Sequence, residues 1–378
     1  MIPFNKPHFS GKETLYIEDA LKGGFISGNG KYTKKCQQFF EQRYGFGKCL
    51  LTTSCSDALE MAAILLNIQP GDEVIVPSYT FVSTANAFVR QGAKIVFTDS
   101  LPYHANMDTS TLETLINNKT KAIVPVHYAG VACDMDTIMA LASKYGLYVV
   151  EDAAQAIDSF YTGKDGLRKP LGSIGHLATF SFHETKNLTS GEGGMLVIND
   201  SQFFCRAEVV WEKGTNRAAF FRGEVNKYGW VDVGSSFLPS DILAAFLWAQ
   251  IENLDDIQHQ RKQHWNAYYT GLHPWANRKG VMLPQTPDYA TNNAHMFYMV
   301  CQTPEQRSAI ISHLKAHGIL AVFHYLSLHQ SPFYKNKHDG RTLMYSDRFS
   351  DTLVRLPFFY ELSQKDIDYI VSTIKIDF

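Results

Sequence analysis

Through its first two-thirds the chain alternates short β-rich runs with amphipathic segments, and this rhythm constrains the fold more than any single residue. Glu73–Pro77 (EVIVP), Lys94–Thr98 (KIVFT), Lys121–Val126 (KAIVPV) and Leu147–Asp152 (LYVVED) read as buried strands, each bounded by Gly, Pro or Asp. Between them Ser83–Gly92, Thr109–Asn117 and Asp134–Tyr145 have the length and periodicity of crossover helices, and Asp57–Leu66 (DALEMAAILL) forms another. Thr179–Phe182 and Met195–Asn199 add two strands across a polar, Gly-rich connection. Such alternation predicts an α/β fold, a mostly parallel sheet between layers of helices. From Pro239 a long helix is expected over Asp241–Asn253, continuing towards Tyr269. The texture changes after Leu272: Pro274, Pro284 and Pro287 punctuate a linker, followed by a strand (Met296–Cys301), a helix (Glu305–His317), a strand (Ala321–His324) and a last helix (Gln364–Ile374). The expectation is a large domain over residues 1–255, N-terminal segment included, and a small α+β domain over 256–378.

Composition removes several classes of function. The charge balance of 35 − 37 = −2 gives no electrostatic reason to expect a nucleic-acid or membrane partner. No apolar run reaches spanning length, and Met1–Lys12 has no apolar leader core, so a cytoplasmic protein is expected. The six cysteines are widely spaced without a C-x-x-C, and the fourteen histidines form no zinc pattern, so no metal is expected.

In parallel sheets, ligands collect beyond the carboxyl ends of the strands, and three features there carry chemistry. Asp152 ends an apolar strand; it reads either as an N-cap or surface acid, or as a carboxylate set to meet a cation in a dry crevice. Lys186 lies in Ser181–Gly194 (SFHETKNLTSGEGG), between two core strands. An isolated lysine is usually solvated, but one on such a loop can enter a pocket where desolvation lowers its pKa and frees a nucleophilic amine. Thr53–Asp57 (TSCSD) opens the Asp57–Leu66 helix; it reads as an ordinary Ser cap or as an anion site using Ser56 and the backbone N–H of Asp57.

Taken together, a lysine, an acid and an anion cradle describe the needs of pyridoxal 5'-phosphate: a covalent tether, a partner for the pyridine nitrogen and a phosphate site. Gly28-Asn29-Gly30 is not a dinucleotide fingerprint, because no strand precedes it and no third glycine follows at the right spacing.

The sequence resembles the DegT/StrS family of fold-type I, pyridoxal-phosphate-dependent nucleotide-sugar aminotransferases along essentially its whole length. The match rests on Gln69–Val89 (QPGDEVIVPSYTFVSTANAFV), Ile123–Ala142, Val149–Ala156 (VVEDAAQA), Phe180–Asn187 (FSFHETKN), Glu212–Arg217 (EKGTNR) and Asn293–Tyr298 (NAHMFY). The resemblance implies an aspartate-aminotransferase-like fold and a homodimer. It makes Lys186 the tether, Asp152 the pyridine-nitrogen partner, Phe81 the aromatic stacked on the ring and Gln155 a contact to the ring's face or hydroxyl. Ser56, Asp57 and Ser181 match phosphate-binding positions. Family members usually complete that site from the other subunit with a Gly-x-Asn-x-Arg stretch; here Ser236 stands where Asn is usual and Leu238 where Arg is usual. His324 and His329 (in FHYLSLH) match the small-domain segment that reaches the sugar site. Either could equally be a structural histidine; His324, ending an apolar strand, is the better candidate, with His183 a further substrate-side candidate. Thr215–Arg217 and Arg222 offer polar and basic groups for a nucleotide diphosphate.

The implied reaction moves the amino group of L-glutamate to C4 of dTDP-4-dehydro-6-deoxy-D-glucose. Two rivals stand beside it: a relative of different regio- or stereochemistry, or a silent member that senses sugar nucleotides. Dehydratase relatives carry His at the tether position, so Lys186 argues against that branch. The intact Lys186 and Asp152 pair argues against a silent one.

Overall fold

The computed structural model describes residues 1–377. In chain order the strands are β1 (Lys48–Thr52), β2 (Glu73–Pro77), β3 (Lys94–Thr98), β4 (Thr120–Ile123), β5 (Tyr148–Asp152), β6 (Phe160–Thr162), β7 (Arg168–Pro170), β8 (Leu177–Ser181), β9 (Gly194–Ile198), β10 (Tyr298–Val300) and β11 (Leu353–Arg355). The helices are α1 (Glu13–Lys22), α2 (Lys31–Tyr44), α3 (Cys55–Leu65), α4 (Val82–Val89), α5 (Met135–Tyr145), α6 (Phe204–Trp211), α7 (Arg217–Phe221), α8 (Asp241–Ile251), α9 (Leu254–Lys279), α10 (Pro304–Ala316), α11 (Met344–Thr352) and α12 (Gln364–Asp377). None of the described helices is long and apolar enough to cross a membrane.

Seven strands form one sheet in the order β1-β9-β8-β5-β4-β2-β3. Only β9 runs against the others, pairing antiparallel with both β1 and β8. Because successive strand residues point to opposite faces, each central strand feeds two cores. Ile75, Ile123, Val149 and Ala178 pack with Phe40, Ile138 and Ala244 of α2, α5 and α8. Val74, Ala122, Val150 and Leu177 pack with Leu59, Phe88 and Trp211 of α3, α4 and α6 on the other face. The result is the helix–sheet–helix sandwich that the alternation implies. A third core joins the C-terminal half of α9 (Tyr268, Leu272, Trp275) to α10, β11 and α12.

Several expected elements come out differently. Thr109–Asn117 contains only one 3₁₀ turn, Leu112–Leu115. Its hydroxyls bond to local groups (Ser110 Oγ to Asp108, 2.7 Å; Thr114 Oγ1 to the Thr111 carbonyl, 2.7 Å), which competes with a helix. The strand expected over Lys121–Val126 ends at Ile123, before Pro125, which has no N–H to pair. Ala321–His324 makes a single bridge, Val322 to Arg355, rather than a strand. The helix expected from Asp241 to Tyr269 is broken at Glu252–Asn253 and then runs on to Lys279. Pro274 therefore lies inside α9 rather than in a linker; the buried Trp275 and Ala276 hold the last turn despite the lost hydrogen bond.

The glycine pair at 28–30 has a structural use. Asp241 is buried and accepts the amides of Tyr32 (3.2 Å) and Thr33 (2.8 Å), satisfying the free N-terminus of α2. A Cβ on Gly30 would sit 2.4 Å from the Asp241 carboxyl carbon, so only glycine lets α8 cap α2 in this way.

Glu151, beside Asp152 but on the opposite face, is fully buried. It accepts the amides of Gly172 (2.9 Å), Ile174 (2.8 Å) and Gly175 (2.6 Å), and Nε2 of His127 (2.9 Å). His127 Nδ1 accepts the Cys133 amide, so its proton is on Nε2. Burial alone would raise the Glu151 pKa, but these donors hold it below the usual carboxylate value. We expect Glu151→Gln to cost about 3 kcal/mol in urea unfolding at pH 7, because one donor then faces another. A depressed folded-state pKa stabilises above the unfolded carboxylate value and is lost below it. The gap between wild type and variant should therefore shrink as the pH falls through about 4.5.

Candidate active site

A cavity of about 830 Å³ opens at the carboxyl ends of β5 and β8. Its walls come from three places: the chain start (Phe4, Asn5), the sheet domain, and the C-terminal core (His295, Met296, His324, Tyr325, Arg355, Phe358). Lys186 and Asp152 both line it. Their separation is set by the sheet: β5 and β8 pair in parallel with Asp152 opposite Thr179, and the loop carrying Lys186 follows directly on β8.

Asp152 is buried, accepting Thr84 Oγ1 (2.7 Å) and the Ala154 amide (3.2 Å). Burial raises its pKa, and Thr84, the Ala154 amide and the charge of Lys186 pull it back. Burial likewise lowers the pKa of Lys186, whose amine makes no hydrogen bond or ion pair among the described residues. The lysine loop is tied down on both sides. Lys186 N donates to the His183 carbonyl (2.9 Å), and Phe182 exchanges bonds with Gly193 (2.8 Å) and Ser190 (2.8 Å). Asn187 next door is clamped by Gln258 (2.7 Å), the Asn293 carbonyl (3.0 Å) and His295 (2.9 Å). The amine is thus free while its backbone is fixed.

The third feature is the start of α3. Ser54 is the N-cap, accepting the Asp57 amide at 3.0 Å. Ser56 lines the cavity with its hydroxyl 2.7 Å from that of Ser83, and Thr53, Cys55 and Ser181 line it too. A lysine, a buried acid, an exposed aromatic face (Phe81, 55% exposed, on the cavity wall) and a hydroxyl-rich helix start fit pyridoxal phosphate in every group that it requires.

Comparison with known proteins agrees. Residues 8–375 match the DegT/DnrJ/EryC1/StrS aminotransferase family. The chain belongs to that family. It is 31% identical over 385 residues to the spore coat polysaccharide biosynthesis protein SpsC of Bacillus subtilis, covering 99% of this chain and 96% of the relative. It is also 31% identical over 380 residues to the GDP-perosamine synthase of Escherichia coli O157:H7, covering 99% and 97%. Among solved structures, the sugar aminotransferase Spr1654 of Streptococcus pneumoniae in its PMP form superposes with a TM-score of 0.90 at 27% identity (99% and 98% covered). DesV of S. venezuelae does so at 0.87 and 28% (99% and 97%). As a DegT/DnrJ/EryC1/StrS protein the chain is a sugar aminotransferase of fold-type I that uses pyridoxal phosphate.

Of the residues singled out from the sequence, Ser56, Phe81, Asp152, Gln155, Ser181, His183, Lys186 and His324 line the cavity. Gln155 accepts the Ala129 amide (2.6 Å) and donates to Tyr325 Oη (2.9 Å). His324 bonds Tyr128 Oη (2.7 Å), and burial together with Arg355 holds its pKa well below the usual value. Four residues do not join them. Asp57 turns its carboxylate to Thr53, and its amide is already taken by Ser54, so it offers an anion nothing. His329 is buried away from the cavity on Ser78 Oγ (2.7 Å). Arg222 pairs with Glu208 (2.8 Å) and Glu224 (2.6 Å) on the surface. Ser236 is exposed beside Glu212 and off this chain's own cavity.

Thr84, Tyr325, His295 and Arg355 also line the cavity, though no motif in the sequence sets them apart. Thr84 gives the clearest test, since valine preserves its shape and removes only the hydroxyl. Without that bond the Asp152 pKa rises further. The acidic limb of the pH–rate profile of Thr84→Val should therefore move towards neutrality, and an unmoved limb would count against the coupling.

Proposed function

We propose that this aminotransferase moves the amino group of L-glutamate to C4 of dTDP-4-dehydro-6-deoxy-D-glucose, giving dTDP-4-amino-4,6-dideoxy-D-galactose and 2-oxoglutarate. The supporting observation is the free Lys186 amine facing the buried Asp152 in a cavity much larger than the cofactor alone needs. The long sequence runs quoted above carry the choice of sugar. GDP-perosamine synthase, with 31% identity, places an amino-sugar nucleotide synthase among the relatives. The protein would work as a homodimer in which Ser236 of each chain serves the neighbouring site. It would supply the amino sugars of lipopolysaccharide or enterobacterial common antigen from the cytoplasm.

In this reading Lys186 holds the cofactor, Asp152 keeps its pyridine nitrogen protonated, Phe81 covers the ring and Gln155 contacts it. Ser56 and Ser181 hold the phosphate. Bound there, pyridoxal phosphate supplies the sink for the electron pair left when a substrate C–H bond breaks. Lys186 Nζ, free on a fixed backbone and with its pKa lowered by burial, takes the proton from the donor's α-carbon and later delivers one to C4 of the sugar. Asp152 stays ionised against the cation it faces, since an opposite charge offsets the burial that raises its pKa. His183 and His324 flank the space left for the sugar.

Lys186→Ala should lose turnover and the visible absorbance of bound cofactor while remaining folded; near wild-type turnover would remove the lysine from its role. Asp152→Asn should keep the cofactor yet slow both half-reactions at least about tenfold, about 1.4 kcal/mol of barrier, in stopped-flow traces. Incubation with glutamate and a panel of nucleotide keto-sugars tests the substrate. An axial C4 amine leaves H4 with only small couplings to H3 and H5 in the proton spectrum. A large H3–H4 coupling would reassign the product to the gluco series and leave the aminotransferase in place.

A further inference from the structure

Tyr128 is a fully buried phenol whose hydroxyl meets a histidine of the cavity wall. Val126 bridges Asp152 and the His127 amide donates to the Asp152 carbonyl (3.1 Å), so the turn Tyr128–Gly130 begins at the acid's own sheet edge. Asn106 fixes that turn, accepting the Tyr128 amide (2.9 Å) and donating to the carbonyls of Val131 (3.0 Å) and Ala132 (2.8 Å). The ring is packed among those of Tyr79 (5.5 Å between centres), Tyr298 (5.7 Å) and Tyr325 (6.2 Å). Its hydroxyl lies 2.7 Å from Nδ1 of His324. The His324 ring stacks on Tyr325 (3.5 Å between centres), so it is held from two sides. Its Nε2 has no hydrogen-bond partner among the described residues, yet it is not one of the buried unpaired polar atoms, so it opens on the cavity that His324 lines.

The hydrogens follow from these contacts. A buried O–H must be paired, and an imidazole nitrogen at 2.7 Å is a better acceptor than the neighbouring Tyr79 hydroxyl, which bonds to nothing among the described residues. Were Nδ1 the donor instead, the Tyr128 hydrogen would be orphaned among aromatic rings. Nδ1 therefore accepts, and the proton of the neutral ring is on Nε2. A second proton is opposed from every side: burial and the charges of Arg355, Lys186 and His295 hold the ring neutral, and the facing Tyr79 and Tyr325 are phenols kept protonated by burial. A protonated Nε2 takes no further proton, which leaves proton movement to Lys186. It can only donate, and a neutral donor suits an uncharged oxygen, where an imidazolium would suit a carboxylate or phosphate. We propose that Tyr128 is a positioning residue that holds His324 in its Nε2–H form, so that His324 gives one hydrogen bond to an uncharged hydroxyl or carbonyl oxygen of the sugar. The part of Tyr128 stands on the geometry; that of the sugar deepens the reading above and rests on it.

Ring-labelled histidine and nitrogen NMR read the tautomer directly in the cofactor-loaded protein, the His324 signals being those lost in His324→Gln. We expect Nδ1 bare and Nε2 protonated in the wild type between about pH 6 and 8, and a mixture of both tautomers in Tyr128→Phe, which keeps the ring and its packing. A proton on Nδ1 in the wild type, or the same single tautomer in Y128F, overturns the positioning role. For the sugar, dTDP-D-galactose, which has no ketone to react, is titrated calorimetrically into the wild type, Y128F, His324→Ala and H324Q, with matching thermal midpoints as the check on folding. We expect affinity to fall about tenfold in H324A and about threefold in Y128F, and to be largely rescued in H324Q, whose amide N–H replaces that of Nε2. Equal affinity in wild type and H324A, or a loss confined to glutarate binding, overturns the sugar oxygen as the partner. A wild type that binds no dTDP-D-galactose overturns the substrate reading above, and the tautomer measurement still decides the part of Tyr128.

Discussion

The burial of two adjacent carboxylates at the end of one strand organises this protein. Glu151 and Asp152 point to opposite faces of β5, and neither can stay ionised without donors. On one face the donors are three loop amides and His127, which fix the turn between β7 and β8. On the other they are Thr84 and the Ala154 amide, with Lys186 supplying charge. The first set consumes its acid completely. The second leaves Asp152 with capacity for one more cationic partner, and that difference separates a structural carboxylate from a working one.

Positioning around Asp152 comes from polar side chains that span long stretches of sequence. Asn293 donates to the carbonyls of Gln155 and Ile157 (2.8 Å each) and packs where a Cβ on Gly130 would lie 1.9 Å from its oxygen. Gly130, with φ of +79°, is the residue that lets this amide approach. Through Asn293 and Asn187 the C-terminal core is thereby joined to the lysine loop and to Gln155, with every bond directional. Shape in this site is held more by amides than by apolar contact, which suits a cavity that must remain open.

The alternation of strands and helices was legible because hydrophobic periodicity is a local property, and Asp152 was legible as an acid after an apolar run. Arg355 carries the same signature, a charge after Leu353-Val354, but it lies beyond the region where a parallel sheet directs attention to strand ends. Thr109–Asn117 has the apolar spacing of a helix, yet its Ser and Thr hydroxyls bond locally and leave one turn. Pro274 looks like punctuation in the sequence, but tertiary burial of Trp275 overrides local propensity and keeps it in the helix. His329 and His324 sit five residues apart in the same segment. Which of them faces the cavity depends on the path of residues 325–328, and no pattern in the sequence encodes that path. Asp57 lies off the cavity for a smaller reason: the helix starts two residues earlier than its apolar rhythm suggests, and Ser54 takes the amide.

The first residues of the chain dock on nearly the last. Ile2 bridges Ile319, the Phe4 carbonyl accepts the Phe358 amide at 3.1 Å, and Phe4 and Asn5 then form part of the cavity wall. Synthesis is vectorial, so the sheet can assemble while the ribosome still holds the C-terminal core, but that wall cannot. Closing a loop of this length is entropically slow, and it comes after the local contacts have formed. A chain not yet synthesised through Phe358 would thus carry Lys186 and Asp152 in place at an open-sided site.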